Sequence, residues 1–335
     1  MAGEGRKGLT LLDKSQPAIL ISSIIVGLLI AEYSPSLAAS LEWLIPFGMF
    51  IIVYNIFTSV ELRELLLALR NVKSTLTVLA VNFAITPVYA WFLGYFFLRS
   101  YPDIWVGLVL YLVAPCMGWF LIFTSLAGGN VPLGVTLLAW NTLLMLALMP
   151  FYMYILVGKI IIIDFSQILG SIMMFLVLPF LFGRLTQRFI VEMKGHTYFD
   201  KTVKPFLSLA NLVILAAVVV AIFASQGNLL FENPFVIMRL IPPVLIFFFS
   251  ILLLDLILGK LLKLSYGDIA LIVFTTTARN SEVALAIAVS AFPANPLVPL
   301  AIAIGPSIEL PVLTILLQIL LWVRKHWDLK LFPPT

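Results

Sequence analysis

Apolar stretches long enough to cross a bilayer recur along nearly the whole chain. This recurrence limits the possible folds more than any other feature. A bilayer core needs about 20 apolar residues per helix. Ten stretches fit, at 17–33, 41–60, 75–98, 104–127, 131–157, 166–189, 205–225, 236–259, 267–291 and 297–323. Of the 335 residues, 62% are apolar and 11% charged, against roughly 25% charged in soluble domains. So few charges cannot cover so much apolar surface in water. A water-soluble enzyme, a nucleic-acid binder and a disordered chain are thereby excluded. The single cysteine, Cys116, excludes an internal disulfide and a multi-cysteine metal site. The polar opening, MAGEGRKGLTLLDKSQP, carries no signal-peptide cleavage pattern and is expected to stay on the chain.

The loops between these stretches are short, so lysine and arginine report orientation. Arg99, Lys159 and Arg239 fall on one side, and Arg279 lies inside a span. The remaining sixteen of the 20 basic residues share the side of the N-terminus. They include Arg6, Lys7, Lys14, Arg63, Arg70, Lys73, Arg184, Lys260, Arg324 and Lys330. The expectation is an all-α plasma-membrane protein of ten transmembrane helices with cytoplasmic N- and C-termini.

Ten spans divide into five and five. Because five is odd, a second repeat would run inverted relative to the first. This reading places the first repeat at 1–160 and the second at 161–335. Span four is interrupted at APCMG (114–118) and span nine at TTTARNSE (275–282). An offset of 164 sets Pro115 on Arg279 and Asn141 on Gly305. Matched breaks are a pointer to a substrate site, here where discontinuous helices four and nine cross at mid-membrane. The plainer reading of either break alone is a proline kink or a polar interior face.

Ionisable groups at membrane depth are costly, and each is a functional candidate. There are four: Asp255, Arg279, Glu282 and Glu309. Asp255 lies five residues before Lys260 and reads as a snorkelling or capped carboxylate. Glu282 follows the break of span nine, behind Asn280 and Ser281. A carboxylate there is paired or protonated. If it changes protonation as water access alternates, it couples a proton to a substrate; the alternative is a static pair with Arg279, three residues away. Glu309, between Pro306 and Pro311, reads equally as a partner for backbone freed by proline and as a functional acid. Asn141 bonds across helices or touches substrate. Cys116 is an apolar filler, or a soft ligand facing a watery site. One thiol cannot build a tight cage, but it gives a contact weak enough to release.

There is no G-x-x-x-x-G-K-[ST], H-E-x-x-H or G-x-S-x-G motif and no histidine cluster. Any active transport therefore draws on an ion gradient, and neither an enzyme nor a cofactor is expected.

Three segments together carry a resemblance: VAPCMGWFLIF in span four, TTTARNSEVALAIAVSAF in span nine and IAIGPSIELPV in span ten. They resemble the arsenite-efflux branch of the bile acid, arsenite and riboflavin transporter superfamily. The resemblance implies ten spans in inverted five-span repeats. It implies export of trivalent arsenic, often with antimonite, commonly in exchange for protons. It makes Cys116 the thiol that activity requires and places the acid of span nine at Glu282. Ser281 stands where the family usually has a second asparagine. The neighbouring sodium-coupled bile-acid symporters share the pattern around Asn280 and Ser281. They carry a glutamate where Thr275 or Thr276 stands here.

The favoured expectation is a proton-coupled arsenite exporter. A core around spans four, five, nine and ten would move against the remaining helices. Glu282 carries the proton and Cys116 transiently contacts arsenic, with Asn141, Arg279, Asn280, Ser281 and Glu309 positioning or gating. The alternative is a sodium-coupled symporter of an organic anion, with Arg279 meeting its carboxylate. A scaffold without transport is the third, disfavoured because it has no need of buried ionisable groups.

Overall fold

The computed structural model describes residues 11–60, 71–116, 119–161, 165–232 and 238–326. Arg6, Lys7, Arg63, Arg70, Lys330, Met117 and Gly118 lie outside the described residues. Within them the chain is helical, apart from turns and one isolated backbone bridge. Six stretches are long and apolar enough to cross a membrane, and shorter apolar helices include Pro102–Val113 and Ser281–Ala291. One stretch, Leu169–Ser225, spans 57 residues. At about 1.5 Å per residue that is far more than one crossing. It turns at Gly195, whose φ of +80° suits glycine. The chain is a multi-pass membrane protein.

The helices are α1 (Leu11–Tyr33), α2 (Pro35–Ser59), α3 (Val72–Leu98), α4 (Pro102–Val113), α5 (Trp119–Ala127) and α6 (Val131–Val157). After these come α7 (165–194), α8 (Lys204–Glu232), α9 (Ile241–Leu261), α10 (Tyr266–Thr277), α11 (Ser281–Ala291) and α12 (Leu297–His326).

The helices sort into two groups by packing. In the first, α1 lies along α8, and α2 packs on α7 and α8. Apolar surface gains little by leaving lipid for another helix, so membrane helices associate through close backbone approach and polar bonds. Gly27 supplies the approach: a Cβ there would meet the Val220 carbonyl at 2.7 Å. Asn55 donates to Asn211 across α2 and α8 at 2.9 Å, and Tyr54 to Thr186 across α2 and α7 at 2.8 Å.

The second group contains α3–α6, α9, α10 and α12, and α11 packs between it and α2 and α7 of the first. Here α3 packs on α4 and α9, α9 on α10, and α4 on α12. Tyr89 and Ser250 hydrogen-bond between α3 and α9 at 2.7 Å. Pro87 has no N–H to offer the Phe83 carbonyl four residues back. The helix widens there into a π-helical turn, Val81–Ile85, and the Tyr152 hydroxyl donates to the Phe83 carbonyl at 2.6 Å. The wide turn carries Asn82, which is fully buried.

Candidate substrate site

Two helices stop short inside the second group. At the end of α4, Ala114 is extended and Pro115 lacks an N–H; at the end of α10, Ala278 is extended. Backbone groups left open at these breaks must find partners away from water. They find each other. The Cys116 N–H donates to the Ala278 carbonyl at 3.1 Å, and the Asn280 N–H to the Ala114 carbonyl at 2.8 Å. This antiparallel bridge sets Pro115 opposite Arg279, the same two residues that the offset of 164 aligns.

The crossing joins helix ends of both signs. The C-terminal ends of α4 and α10 carry partial negative charge, and the N-terminus of α11 carries partial positive charge. Side chains match these ends. The Arg279 guanidinium, 2% exposed, donates to the Leu112 carbonyl of α4 at 2.8 Å and to the Thr277 carbonyl of α10 at 3.2 Å. It also donates to Asn82 Oδ1 at 3.2 Å and lies 5.0 Å from the centre of the Phe247 ring. Asn82 in turn donates to the Thr275 carbonyl at 3.3 Å. Glu282 occupies the first turn of α11, where a negative charge is favoured. Asn280 caps the same helix by accepting from the Val283 N–H at 3.0 Å.

Glu309 is buried and fastens the break from α12. Its Oε1 accepts from the Arg279 backbone N–H at 2.9 Å, and its Oε2 accepts from the Tyr111 hydroxyl at 2.7 Å. The Tyr111 ring lies against Gly305, where a Cβ would stand 2.7 Å from it. Thus α4, α10 and α12 are tied at one carboxylate.

Beside the crossing is a narrow cleft lined by Trp119, Leu215, Arg279, Ser281, Glu282, Pro306, Glu309 and Leu310. Leu215 comes from α8, so the cleft lies between the two helix groups. Of the four residues this cleft shares with the sequence expectation, Glu282 is the half-buried acid, and its carboxylate accepts from its own backbone N–H. It lies within electrostatic reach of Glu309. Among the described residues no ion pair joins it to Arg279, whose guanidinium is taken up by carbonyls. Cys116 is buried, 3% exposed, and within electrostatic reach of Arg279 and Tyr111, but it does not line the cleft. Asn141 is also off the cleft: it accepts from Asn82 at 3.5 Å, the cross-helix bond, and its Nδ2 has no partner among the described residues.

Asp255 corrects the expectation made for it. It does not snorkel. It is fully buried and accepts from the Thr276 hydroxyl at 2.6 Å, because α9 packs its middle face against α10. The sequence reasoning also passed over Asn82 and Tyr111, and gave Trp119 no place in the site. Asn82 carried the same signal as Asn141, a lone amide in an apolar run. Nothing in one sequence separates Tyr111 or Trp119 from other membrane aromatics.

The sodium bile acid symporter family model matches residues 46–233, more than half of the chain and including the first break. The chain belongs to this family. Among relatives of this sodium bile acid symporter family member, the arsenical-resistance protein Acr3 of Corynebacterium glutamicum is 28% identical over 265 residues, 76% of this chain and 70% of that protein. The Acr3 of Alkaliphilus metalliredigens is 24% identical over 340 residues, covering 96% and 95%. An uncharacterized transporter of Synechocystis is 28% identical over 339 residues, covering 93% and 88%. The chain is a membrane-spanning transporter of this family, with arsenical-resistance homologues.

Proposed function

We propose that the protein exports trivalent arsenic, as arsenite and by the same chemistry antimonite, from the cytoplasm in exchange for protons. The observation that carries the reading is the contrast between two acids at one crossing. Glu309 is spent on fixed hydrogen bonds, while Glu282 is half-buried in a cleft and, among the described residues, bonded only to its own backbone. An acid of the second kind is free to take up and release a proton as water reaches it from alternate sides. Cys116 sits on the facing break as the soft contact for arsenic, reached when the cleft widens. Arg279, Asn280 and Ser281 shape the break, and Asn141 braces it through Asn82. The arsenical-resistance relatives support the substrate class.

The architecture in this reading is ten crossings in two inverted repeats, 1–160 and 161–335, with both termini cytoplasmic. Several observations support it. The 12-residue helices α4 and α10 start and end 164 positions apart. Asn295 donates to Asp103 at 2.9 Å near the start of α4, and Asn130 to Asp268 at 2.8 Å near the start of α10. Those two pairs are related by an offset of 165. The moving core comprises α3–α6 and α9–α12, because α3 supplies Asn82 to the crossing. The panel is α1, α2, α7 and α8.

The test is arsenite uptake into everted vesicles under an imposed pH gradient, acid inside. The parent accumulates arsenite; Glu282→Gln and Cys116→Ala do not. Parent-like transport by both variants overturns the mechanism.

A further inference from the structure

The C-terminal ends of two broken helices meet at the crossing, and both present carbonyl oxygens to the same small volume. In ion-coupled carriers such half-helix ends and unwound carbonyls seat the coupling cation. Here that volume holds a guanidinium. It is bound by Leu112 O, Thr277 O and Asn82 Oδ1, with Glu309 and Asp255 in electrostatic reach. The three acceptors that bind it are all oxygen, the hard kind that alkali cations take. Asp255 Oδ1 has no hydrogen-bond partner among the described residues, although it is fully buried. A buried carboxylate oxygen without a hydrogen-bond partner therefore lies within electrostatic reach of the guanidinium. An arginine also stays charged throughout any cycle and cannot leave.

We infer that Arg279 is a tethered cation filling an alkali-ion seat formed by the ends of α4 and α10, so that transport runs without sodium and removal of the side chain opens the seat to sodium. The inference rests on the reading of the chain as an ion-coupled carrier and names what its coupling excludes. The guanidinium neutralises the crossing permanently, which leaves the proton on Glu282 as the mobile charge. The arginine is a positioning residue: it holds the two helix ends together and does not travel with substrate.

The experiment uses the full chain, purified and reconstituted, with sodium chloride against choline chloride at equal ionic strength. Arsenite flux by the parent changes less than about twofold between the salts, and its melting temperature does not move. Arg279→Ala in choline loses flux at least about tenfold, since a buried charge network is left without its cation. Sodium restores part of that flux and raises the variant's melting temperature by several degrees, and potassium does so less. A parent that requires sodium overturns the inference. So does an Arg279→Ala protein that folds but gains nothing from sodium over choline. A variant that folds in neither salt also overturns it, because sodium is required to stand in for the guanidinium. If the parent moves no arsenite, the function proposed above fails, and the melting comparison still decides the cation seat.

Discussion

Replacing Glu309 by alanine leaves two buried donors without acceptors, the Arg279 backbone N–H at 2.9 Å and the Tyr111 hydroxyl at 2.7 Å. Each orphaned buried donor costs about 1–3 kcal/mol, so the pair costs about 2–6 kcal/mol before any charge effect. Arg279 also loses its largest favourable charge partner. Glu309→Gln keeps one acceptor oxygen, and the Tyr111 hydroxyl can turn to accept from the amide. Its cost falls to about 1–2 kcal/mol. Glu282→Gln removes only a bond to its own backbone at a half-buried position, a change of about 0.5 kcal/mol or less. At a few hundred residues about 4 kcal/mol lowers a melting temperature by roughly 5 °C. Thermal melts of the detergent-purified protein therefore rank Glu309→Ala well below Glu309→Gln, with Glu282→Gln beside the parent. Flux inverts the second half of that ranking: Glu282→Gln is inactive at parental stability. A Glu282→Gln protein that melts as low as Glu309→Ala refutes the division of labour between the two acids.

Three further outcomes follow from the same geometry. Gly305→Ala drives a methyl to within 2.7 Å of the Tyr111 ring, costs about 1–3 kcal/mol by overpacking, and lowers transport because Tyr111 loses its line to Glu309; melts and flux measured together check it. Asp268 accepts from Asn130 and Asn71 and Asp103 from Asn295, so Asp268→Ala costs more stability than Asp103→Ala, by about 1 kcal/mol in parallel melts. Parent flux rises as the receiving compartment is acidified, because a protonated Glu282 is delivered from that side, and Glu282→Gln shows no dependence on the gradient across pH 6–8 in the vesicle assay.

The helical, multi-pass character was legible because lipid leaves few options and apolar length reports it, and Pro115 and the TTTARN run mark the breaks. The offset of 164 aligned Pro115 with Arg279 as matching breaks, and the backbone bridge between these two residues is what the structure adds. What each acid does was less legible. Spacing placed Arg279 and Glu282 on one helical face, but Ala278 is extended and α11 starts only at Ser281, so the helical rule does not apply across the break. Asp255 looked close to a cytoplasmic end by counting, yet its depth is set by α9 packing on α10, which is a long-range fact. Asn82 was missed because its importance comes from a wide turn made by Pro87 and closed by Tyr152 from another helix.

A broken helix at membrane depth exposes carbonyls at one end and N–H groups at the other, and the two need opposite partners. The carbonyl ends of α4 and α10 converge, so the strongest demand at the crossing is for a positive charge, and Arg279 meets it with two hydrogen bonds to those ends and a third to Asn82. Once that charge is fixed, Glu309 is drawn into holding the strand that carries it. Glu282 is left at the N-terminal end of α11, on the opposite side of the same break, facing the cleft beside Leu215 of the other helix group. An acid that the break does not need for its own stability is the one that can change its charge without unfolding the crossing. The same logic gives Arg279 the work of bracing the crossing: it donates to the Leu112 and Thr277 carbonyls and to Asn82 Oδ1, and drawing it toward substrate would undo the bond pattern that joins the two breaks.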